Sequence, residues 1–351
     1  MKRLSFRSWM SIITLLLLAV IVFFSRHELE RAGELLGRVD LHVLALVIPV
    51  VAIGYLAAGE MIFSYLRQKR LIDHVSIWTQ MRISLELNFV NHVLPSGGVS
   101  GISYMNWRLG KYGVHSGKAT MAQAVRYVVG FAAMITLLIV SVILVTIDGG
   151  INRWIILMSS TLVGVMIAVT FAGVYLMKSV TRMEKFAHAV ARVCNAIVRK
   201  VTLGKISRAI TAVAIEEFLR EMQDDFDGMM RDKRVLVKPY LWGLFFTATE
   251  IAIFYIVFLA LGSSINPAPI LIAYGLASLA GFLVVTPGGA GAYEAIMVLV
   301  LAFAGMPNGE AIAGILLTRM IILFVTVVGG YVFYQLALMK YGKKSVSDIQ
   351  R

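Results

Sequence analysis

Long apolar runs separated by short polar segments make up most of the chain. Six of these runs predict helices that cross a membrane, which takes about 20 mostly apolar residues per crossing. The predicted spans are 10–24, 41–66, 119–147, 154–176, 240–261 and 311–338. The first run follows a basic N-terminus, as a signal peptide does, but it lacks a small-residue cleavage pattern and further spans follow. We therefore expect it to remain as a span.

Two further apolar segments, 75–113 and 269–305, are each interrupted near the middle. Their arms of roughly 12 to 20 residues are short for a crossing, and Pro and Gly at the interruption free backbone groups that lipid cannot satisfy. The interruptions are Pro95-Ser96-Gly97-Gly98 and Pro287-Gly288-Gly289. The sequence thus predicts an all-α polytopic membrane protein with six full spans and two re-entrant helical hairpins.

The composition agrees with a membrane protein. Hydrophobic residues make up 59% of the 351 positions and charged residues only 15%, against about 25% charged in a soluble domain. A net charge of +13 would suggest nucleic acid in a soluble protein, but here we expect no nucleic-acid partner. The single Cys194 excludes an internal disulfide and a cysteine-based metal cluster.

The positions of the cations predict the orientation in the membrane. With the N-terminus inside, segments predicted to be cytoplasmic hold 27 of the 33 Lys and Arg, and external loops hold four. Without the long polar segment 177–239 the ratio is still 14 to 4, in line with the positive-inside rule. Both termini are therefore predicted to be cytoplasmic. Segment 177–239 is either a solvated helical loop or a basic helix lying on anionic lipid.

One order of residues occurs twice along the chain: a glutamate within an apolar run, a Pro-Gly-Gly interruption, and then an arginine within a span. The first set has Glu60 and Arg126, and the second has Glu250 and Arg319. Glutamate and arginine are rare inside a membrane, where a charged residue costs roughly 2.5 to 3.5 kcal/mol to insert, so their recurrence is informative.

The recurrence predicts two halves of opposite topology. Residues 1–150 would form the first membrane repeat and residues 151–340 the second, inverted repeat, which contains the cytoplasmic insertion 177–239. Residues 341–351 would be a cytoplasmic tail. Inverted repeats whose broken helices meet near the middle of the bilayer are typical of secondary transporters.

The interruptions and the repeated charges together predict an anion site. A helix that begins after each interruption points free N–H groups inward, and its glycines let a ligand approach the backbone. The two arginines could grip a phosphate, with the glutamates as their partners when the site is empty. The predicted substrate-binding residues are Ser96, Gly97, Gly98, Gly288, Gly289, Gly291, Arg126, Arg319, Glu60, Glu250, Glu294, Asn88, Asn91 and His92.

Each of these features also has a purely structural explanation. The glycines could serve only a tight bend, the arginines could extend to nearby headgroups, and the glutamates could form structural ion pairs. Ser84, Asn88, Asn91 and His92 share one helical face, which would either line a wet cavity or bond to a neighbouring helix.

Enzyme signatures are missing from the sequence. Residues 113–119 resemble a phosphate loop, but only three residues separate the glycines, and Ala119 replaces the hydroxyl that binds magnesium. No two-histidine ligand pair and no nucleophile elbow occurs. We therefore expect no enzyme activity, cofactor or metal.

The motifs around the two interruptions resemble those of the lysylphosphatidylglycerol synthase transmembrane-region family, which includes the flippase domain of the bacterial multiple peptide resistance factor. They are Asn91-His92-Val93-Leu94-Pro95-Ser96-Gly97-Gly98 followed by Arg126, and Thr286-Pro287-Gly288-Gly289-Ala290-Gly291-Ala292-Tyr293-Glu294 followed by Arg319. The resemblance implies an eight-segment membrane fold, translocation of a lipid with a polar headgroup, and functional roles for Arg126, Glu294 and Arg319. The aminoacyl-transferase domain of the full resistance factor is not matched, so lysyl-phosphatidylglycerol synthesis is not expected.

These arguments lead to one expected function and two alternatives. We expect the protein to flip a phosphate-bearing lipid between the leaflets of a bacterial-type inner (cytoplasmic) membrane. Its partner would be an anionic phospholipid or a polyprenyl-phosphate-type lipid, and a homo-oligomer is left open. The alternatives are a secondary transporter of a small anionic solute, and an accessory membrane subunit of a lipid-modifying or glycosyltransferase pathway.

Overall fold

A computed structural model describes residues 37, 39–93, 99–147, 153–179, 181–186, 188–189, 192, 226–283 and 291–341. Within these residues the regular structure is entirely helical. The helices are α1 (Leu41–Ala45), α2 (Val47–Gln68), α3 (Ile77–Val93), α4 (Val99–Gly110), α5 (Ser116–Ile147), α6 (Arg153–Met177), α7 (Val237–Ala260), α8 (Pro267–Leu283), α9 (Ala292–Phe303) and α10 (Asn308–Tyr341). A 3₁₀ turn, Lys233–Leu236, leads into α7.

Five of the predicted spans coincide with helices that are long and apolar enough to cross a membrane. These helices cover Leu41–Gln68, Ser116–Ser141, Ile156–Leu176, Lys233–Ala260 and Asn308–Tyr341. Their apolar surface is largely exposed, as a lipid environment requires. The protein is therefore a multi-pass membrane protein, as predicted. The predicted first span, 10–24, lies outside the described residues.

The two interrupted segments each form a pair of shorter helices with matching lengths. In the first pair α3 has 17 residues and α4 has 12, and in the second α8 has 17 and α9 has 12. At 1.5 Å per residue these arms are about 26 and 18 Å long, less than the roughly 30 Å of a hydrocarbon core. The interruptions themselves, 94–98 and 284–290, lie outside the described residues. That the pairs enter the membrane halfway therefore stays a prediction.

Close packing joins the two arms of each pair. In the first pair an added Cβ at Gly101 of α4 would lie 2.0 Å from the Asn91 amide oxygen of α3, so glycine is required for this approach. In the second pair α8 and α9 pack closely against each other. The two arms therefore pack against each other in both pairs, and that they form re-entrant hairpins stays a prediction.

The helix contacts follow the same pattern in the two predicted halves. Helices α2 and α7, which carry the repeated glutamates, pack against each other, and each also contacts the first arm of its own hairpin. The last helix of each half then packs on the hairpin of the other half, α5 against α8 and α10 against α3. An added Cβ at Gly330 of α10 would lie 2.4 Å from that of Phe89 in α3. The hairpins are thus held between the halves.

Candidate functional site

Charged and aromatic side chains from five helices and from the end of the first hairpin arm meet in the interior, between the two halves. The charges of Arg126 and Arg319 both act on Glu250, and the charge of Arg319 also acts on His92 and Tyr293. We call this group the central cluster. Its members are His92 (α3), Arg126 (α5), Glu250 (α7), Tyr274 (α8), Tyr293 and Glu294 (α9), and Arg319 (α10).

The best-defined contact in the central cluster is the ion pair between Glu294 and Arg319. The Arg319 Nε donates to Glu294 Oε1 over 2.8 Å, and the guanidinium carbon lies 4.3 Å from the centre of the Tyr293 ring. The second oxygen, Oε2, accepts the Gly291 N–H over 2.6 Å. Glu294 therefore occupies the positive N-terminus of α9 and neutralises Arg319 at the same time.

Gly291 makes this arrangement sterically accessible. It precedes α9 with a φ of +89°, a left-handed conformation that costs a residue with a Cβ roughly 1 to 2 kcal/mol. This conformation turns the Gly291 N–H toward the Glu294 carboxylate three residues further on. Both residues belong to the predicted substrate-binding set, and the structure brings them together with Arg319.

Glu250 lies on the other side of the central cluster. Its carboxylate is hydrogen-bonded to the Tyr274 hydroxyl, which also bonds to Ser278 one turn along α8. Glu250 is enclosed by helices yet keeps part of its surface accessible. Its partner Tyr274 lines an internal cavity. The central cluster thus contains two guanidinium and two carboxyl groups.

Arg126 opens onto a cavity of about 240 Å³ between α2, α5, α6, α7 and α8. Most of its wall is apolar, contributed by methionine and phenylalanine side chains, with a few polar groups beside Arg126. The lining residues are Met61, Arg126, Tyr127, Gly130, Phe131, Met134, Met166, Phe246, Thr247, Tyr274, Gly275 and Ser278. Tyr274 belongs to both the cavity and the central cluster, so the two are continuous.

The predicted polar face of α3 divides between two roles. Ser84 donates to the Tyr55 carbonyl of α2 over 2.9 Å, which is a bond between helices. His92 donates from Nδ1 to the Asn88 carbonyl over 2.8 Å, so its Nε2 is an acceptor near Arg319. The Asn91 oxygen is buried and accepts no hydrogen bond from the described residues.

Glu60 has a different partner from the one predicted. It forms an ion pair with Arg67 seven residues further along α2, and Arg67 also donates to Gln80 of α3. Seven residues are about two helical turns, so both side chains lie on one face of α2, and Arg67 reaches Glu60 before Arg126 or Arg319 could. Glu60 is therefore separate from the central cluster.

Five of the predicted site residues lie outside the described residues. They are Ser96, Gly97, Gly98, Gly288 and Gly289. Their role stays a prediction. Among the residues that the structure describes, no three histidine, cysteine or acidic side chains are grouped so as to hold a metal ion.

Two aromatic members of the central cluster were not among the predicted residues. They are Tyr274, and Tyr293, which lies within the second motif. Tyr293 directly precedes Glu294, and Tyr274 lies four residues before Ser278 on one helical face. The four-residue spacing of Tyr274 and Ser278 is the sequence signal that would have identified Tyr274.

The chain is similar to known proteins over most of its length. A family model described as lysylphosphatidylglycerol synthase TM region matches residues 10–330. Two similar proteins of Methanothermobacter thermautotrophicus are each named UPF0104 membrane protein. One is 25% identical over 237 residues, 66% of this chain and 67% of its own length. The other is 28% identical over 189 residues, about half of both chains.

No solved structure matches the chain. The family model, by contrast, covers both predicted repeats, including both hairpins and the helices that carry the central cluster. The chain belongs to the lysylphosphatidylglycerol synthase TM-region family.

Proposed function

We propose that the protein moves a phosphate-bearing lipid between the two leaflets of a membrane, with the central cluster as its headgroup site. The observation that supports this most directly is that a cation from each predicted half lies inside the helical bundle, Arg319 paired with Glu294 and Arg126 lining the adjoining cavity. Charged groups inside a membrane protein are costly and commonly serve a substrate pathway. Arginine suits phosphate because its planar guanidinium donates two parallel hydrogen bonds.

The Glu294 contacts suggest how a phosphate would be received. Glu294 presents one oxygen to Arg319 and the other to the Gly291 N–H. A phosphate group offers the same two acceptor oxygens with more charge. In this mechanism the phosphate takes over both donors and Glu294 turns aside, so the arginine is neutralised in both states.

The cavity beside Arg126 favours a lipid over a small soluble anion. Its surface is mostly apolar, and five of its twelve lining residues are methionine or phenylalanine, which give no hydrogen bonds to a hydrated ion. Such a wall suits an acyl or prenyl chain whose phosphate contacts Arg126. The chains would stay in hydrocarbon while the headgroup alone crosses the polar interior.

We further propose that the protein lies in a bacterial-type cytoplasmic membrane with both termini inside. The distribution of 27 of the 33 Lys and Arg supports this orientation. It would make one hairpin open to the cytoplasm and the other to the outside. A phosphate could then be held alternately from each side.

The test is lipid flipping in liposomes that contain the purified protein. Fluorescent NBD-labelled phosphatidylglycerol, polyprenyl phosphate and phosphatidylcholine would each be followed by dithionite quenching from outside. We expect at least one phosphate-bearing lipid to flip, and Arg126→Ala with Arg319→Ala to slow it about 100-fold, because two charge-assisted contacts are lost.

A matched control variant removes the same number of positive charges from another part of the protein. Arg231 and Arg234 are exposed arginines outside the central cluster, so Arg231→Ala with Arg234→Ala should leave the rate within about twofold. Equal rates for wild type and the Arg126/Arg319 variant with every lipid would refute the proposal. Uptake of radiolabelled phosphate into the same liposomes, without flipping, would favour the small-anion transporter.

A further inference from the structure

A second, smaller polar pocket lies away from the central cluster, where α3, α4 and α10 meet. Its volume is about 90 Å³, room for about three water molecules. Basic and aromatic side chains surround it, with one carboxylate. The lining residues are Thr79, Arg82, Glu86, Arg108, Tyr112, Phe333, Leu336, Ala337, Lys340 and Tyr341. We call it the basic pocket.

A buried ion pair between Glu86 and Arg108 forms the inner wall of the basic pocket. Arg108 donates from Nε to Glu86 Oε2 over 2.8 Å, and the Tyr104 hydroxyl donates to the same oxygen over 2.8 Å. Both charged residues are almost completely buried. Glu86 therefore pairs with Arg108, and its charge also acts on Arg82, so one carboxylate faces the three cations of the pocket.

Two further cations remain at the mouth of the basic pocket. Arg82 and Lys340 are both exposed, and each contacts an aromatic face, at 5.6 Å from the Phe333 ring centre and 5.3 Å from that of Tyr341. Cation–π contact leaves N–H donors available for an anion. Among the described residues, neither cation has a carboxylate at salt-bridge distance, so the pocket carries a charge of about +2.

Neutral donors complete the lining. The Tyr112 hydroxyl lies 3.3 Å from the Tyr341 hydroxyl and 3.2 Å from Arg108 Nη1. Thr79, in the first turn of α3, also lines the pocket, and its hydroxyl lies 3.0 Å from that of Ser76. Two phenols, a threonine and two cations around a space of this size are suited to a group with several negative oxygens.

Three separate parts of the chain supply the cations of the basic pocket. Arg82, Arg108 and Lys340 come from segments that the charge pattern predicts to be cytoplasmic. The structure brings all three together at one end of the bundle. That end would face the cytoplasmic leaflet, whose anionic lipids attract basic groups by about 1 kcal/mol each.

We propose that the basic pocket binds a phosphate group at the cytoplasmic face, separate from the central cluster. The phosphate belongs either to the headgroup of an anionic phospholipid or to a free phosphate ion. The pocket volume admits the phosphate but not acyl chains, so a lipid would be held by its headgroup while its chains stay in the bilayer. This assignment does not depend on flipping by the protein.

The test is calorimetric titration of the purified full chain in detergent with three water-soluble probes. These are dihexanoyl-phosphatidylglycerol, dihexanoyl-phosphatidylcholine and sodium phosphate. We expect at least one of the two anionic probes to bind, and Arg82→Ala with Lys340→Ala to weaken it about tenfold or more. Binding by phosphatidylglycerol alone identifies a lipid, and equal binding by phosphate identifies the free ion.

Two further measurements separate the basic pocket from other sites: a control variant, and a repeat of the test in a protein that lacks Arg126 and Arg319. Arg234→Ala with Lys238→Ala removes the same exposed charges elsewhere and should change the affinity less than twofold. The tenfold loss should persist when Arg126 and Arg319 are alanine, which separates this site from the central cluster. If the double variant fails to fold, Arg82→Gln and Lys340→Gln are tested singly, each with about threefold loss expected.

Three results would overturn the assignment. They are no binding of either anionic probe to wild type, an equal loss in the Arg234/Lys238 control, and binding that depends only on Arg126 and Arg319. Any of them would mean that the basic pocket has no ligand of its own.

Discussion

Glu60 and Glu250 occupy equivalent places in the two halves but have different surroundings. Glu60 is buried against Arg67 on its own helix, whereas Glu250 lies beside Tyr274 within reach of the charges of Arg126 and Arg319. The difference begins seven residues along each helix. That position is Arg67 in α2 and the buried Val257 in α7.

The comparison separates a structural carboxylate from a candidate functional one. A local cation on the same helical face neutralises Glu60 and ties α2 to Gln80 of α3. Without such a cation, Glu250 depends on arginines from other helices. A repeated residue therefore keeps its place in the fold, while the side chains around it decide its role.

The largest expected effect comes from leaving Glu60 without its cation. Arg67→Ala should lower the free energy of unfolding by about 3 kcal/mol, because a carboxylate that is 5% exposed loses its ion pair. The estimate is at the lower end for a buried pair, since the Arg67 side chain is 34% exposed. Denaturation of the detergent-solubilised protein, followed by tryptophan fluorescence, measures the loss. A stability equal to wild type would mean that the ion pair has no structural role.

A smaller effect of another kind is expected for Glu250. Glu250→Gln should change the free energy of unfolding by less than about 1 kcal/mol and slow lipid flipping about tenfold. Glutamine keeps the volume and an acceptor for Tyr274, but it removes the negative charge between Arg126 and Arg319. Stability is measured by denaturation and flipping by dithionite quenching. Glu60→Gln is the matched variant. It should lower the free energy of unfolding more than Glu250→Gln does, and slow lipid flipping less. If Glu250→Gln were the more destabilising variant and Glu60→Gln the slower in flipping, the comparison would be contradicted.

The smallest effect is expected when both members of the structural pair are made neutral. Glu60→Gln with Arg67→Gln should lower the free energy of unfolding by about 1 kcal/mol or less, because no buried charge is left unpaired. The same denaturation experiment gives the value beside that of Arg67→Ala. A loss as large as that of Arg67→Ala would show that packing, and not charge, holds this part of α2.

Much of the fold was predictable because apolar runs of span length have few alternatives. Five predicted spans match helices, and the two interrupted segments each form two short helices. The recurrence singled out Arg126, Glu250 and Arg319, which lie in one cluster, but it also singled out Glu60, which pairs with Arg67 instead.

The partners of these residues were harder to predict. Arg67 was assigned to a loop beyond its span, although its spacing of seven from Glu60 places both on one helical face. The Glu86–Arg108 pair joins two arms, and Tyr112 and Tyr341 come from distant parts of the chain. Contacts between helices depend on how the helices rotate against one another, which periodicity alone does not determine.

The length of α10 has a mechanical consequence. With 34 residues this helix is about 51 Å long, so it extends well past the roughly 30 Å of the hydrocarbon core. Its close contact with α3 is at Gly330, about 16 Å before Tyr341. If α10 pivots there as a stiff rod, each degree of tilt shifts Tyr341 by about 0.3 Å relative to Tyr112. A rotation of a few degrees inside the bilayer would thus be enough to make or break the contact between the Tyr112 and Tyr341 hydroxyls at its edge.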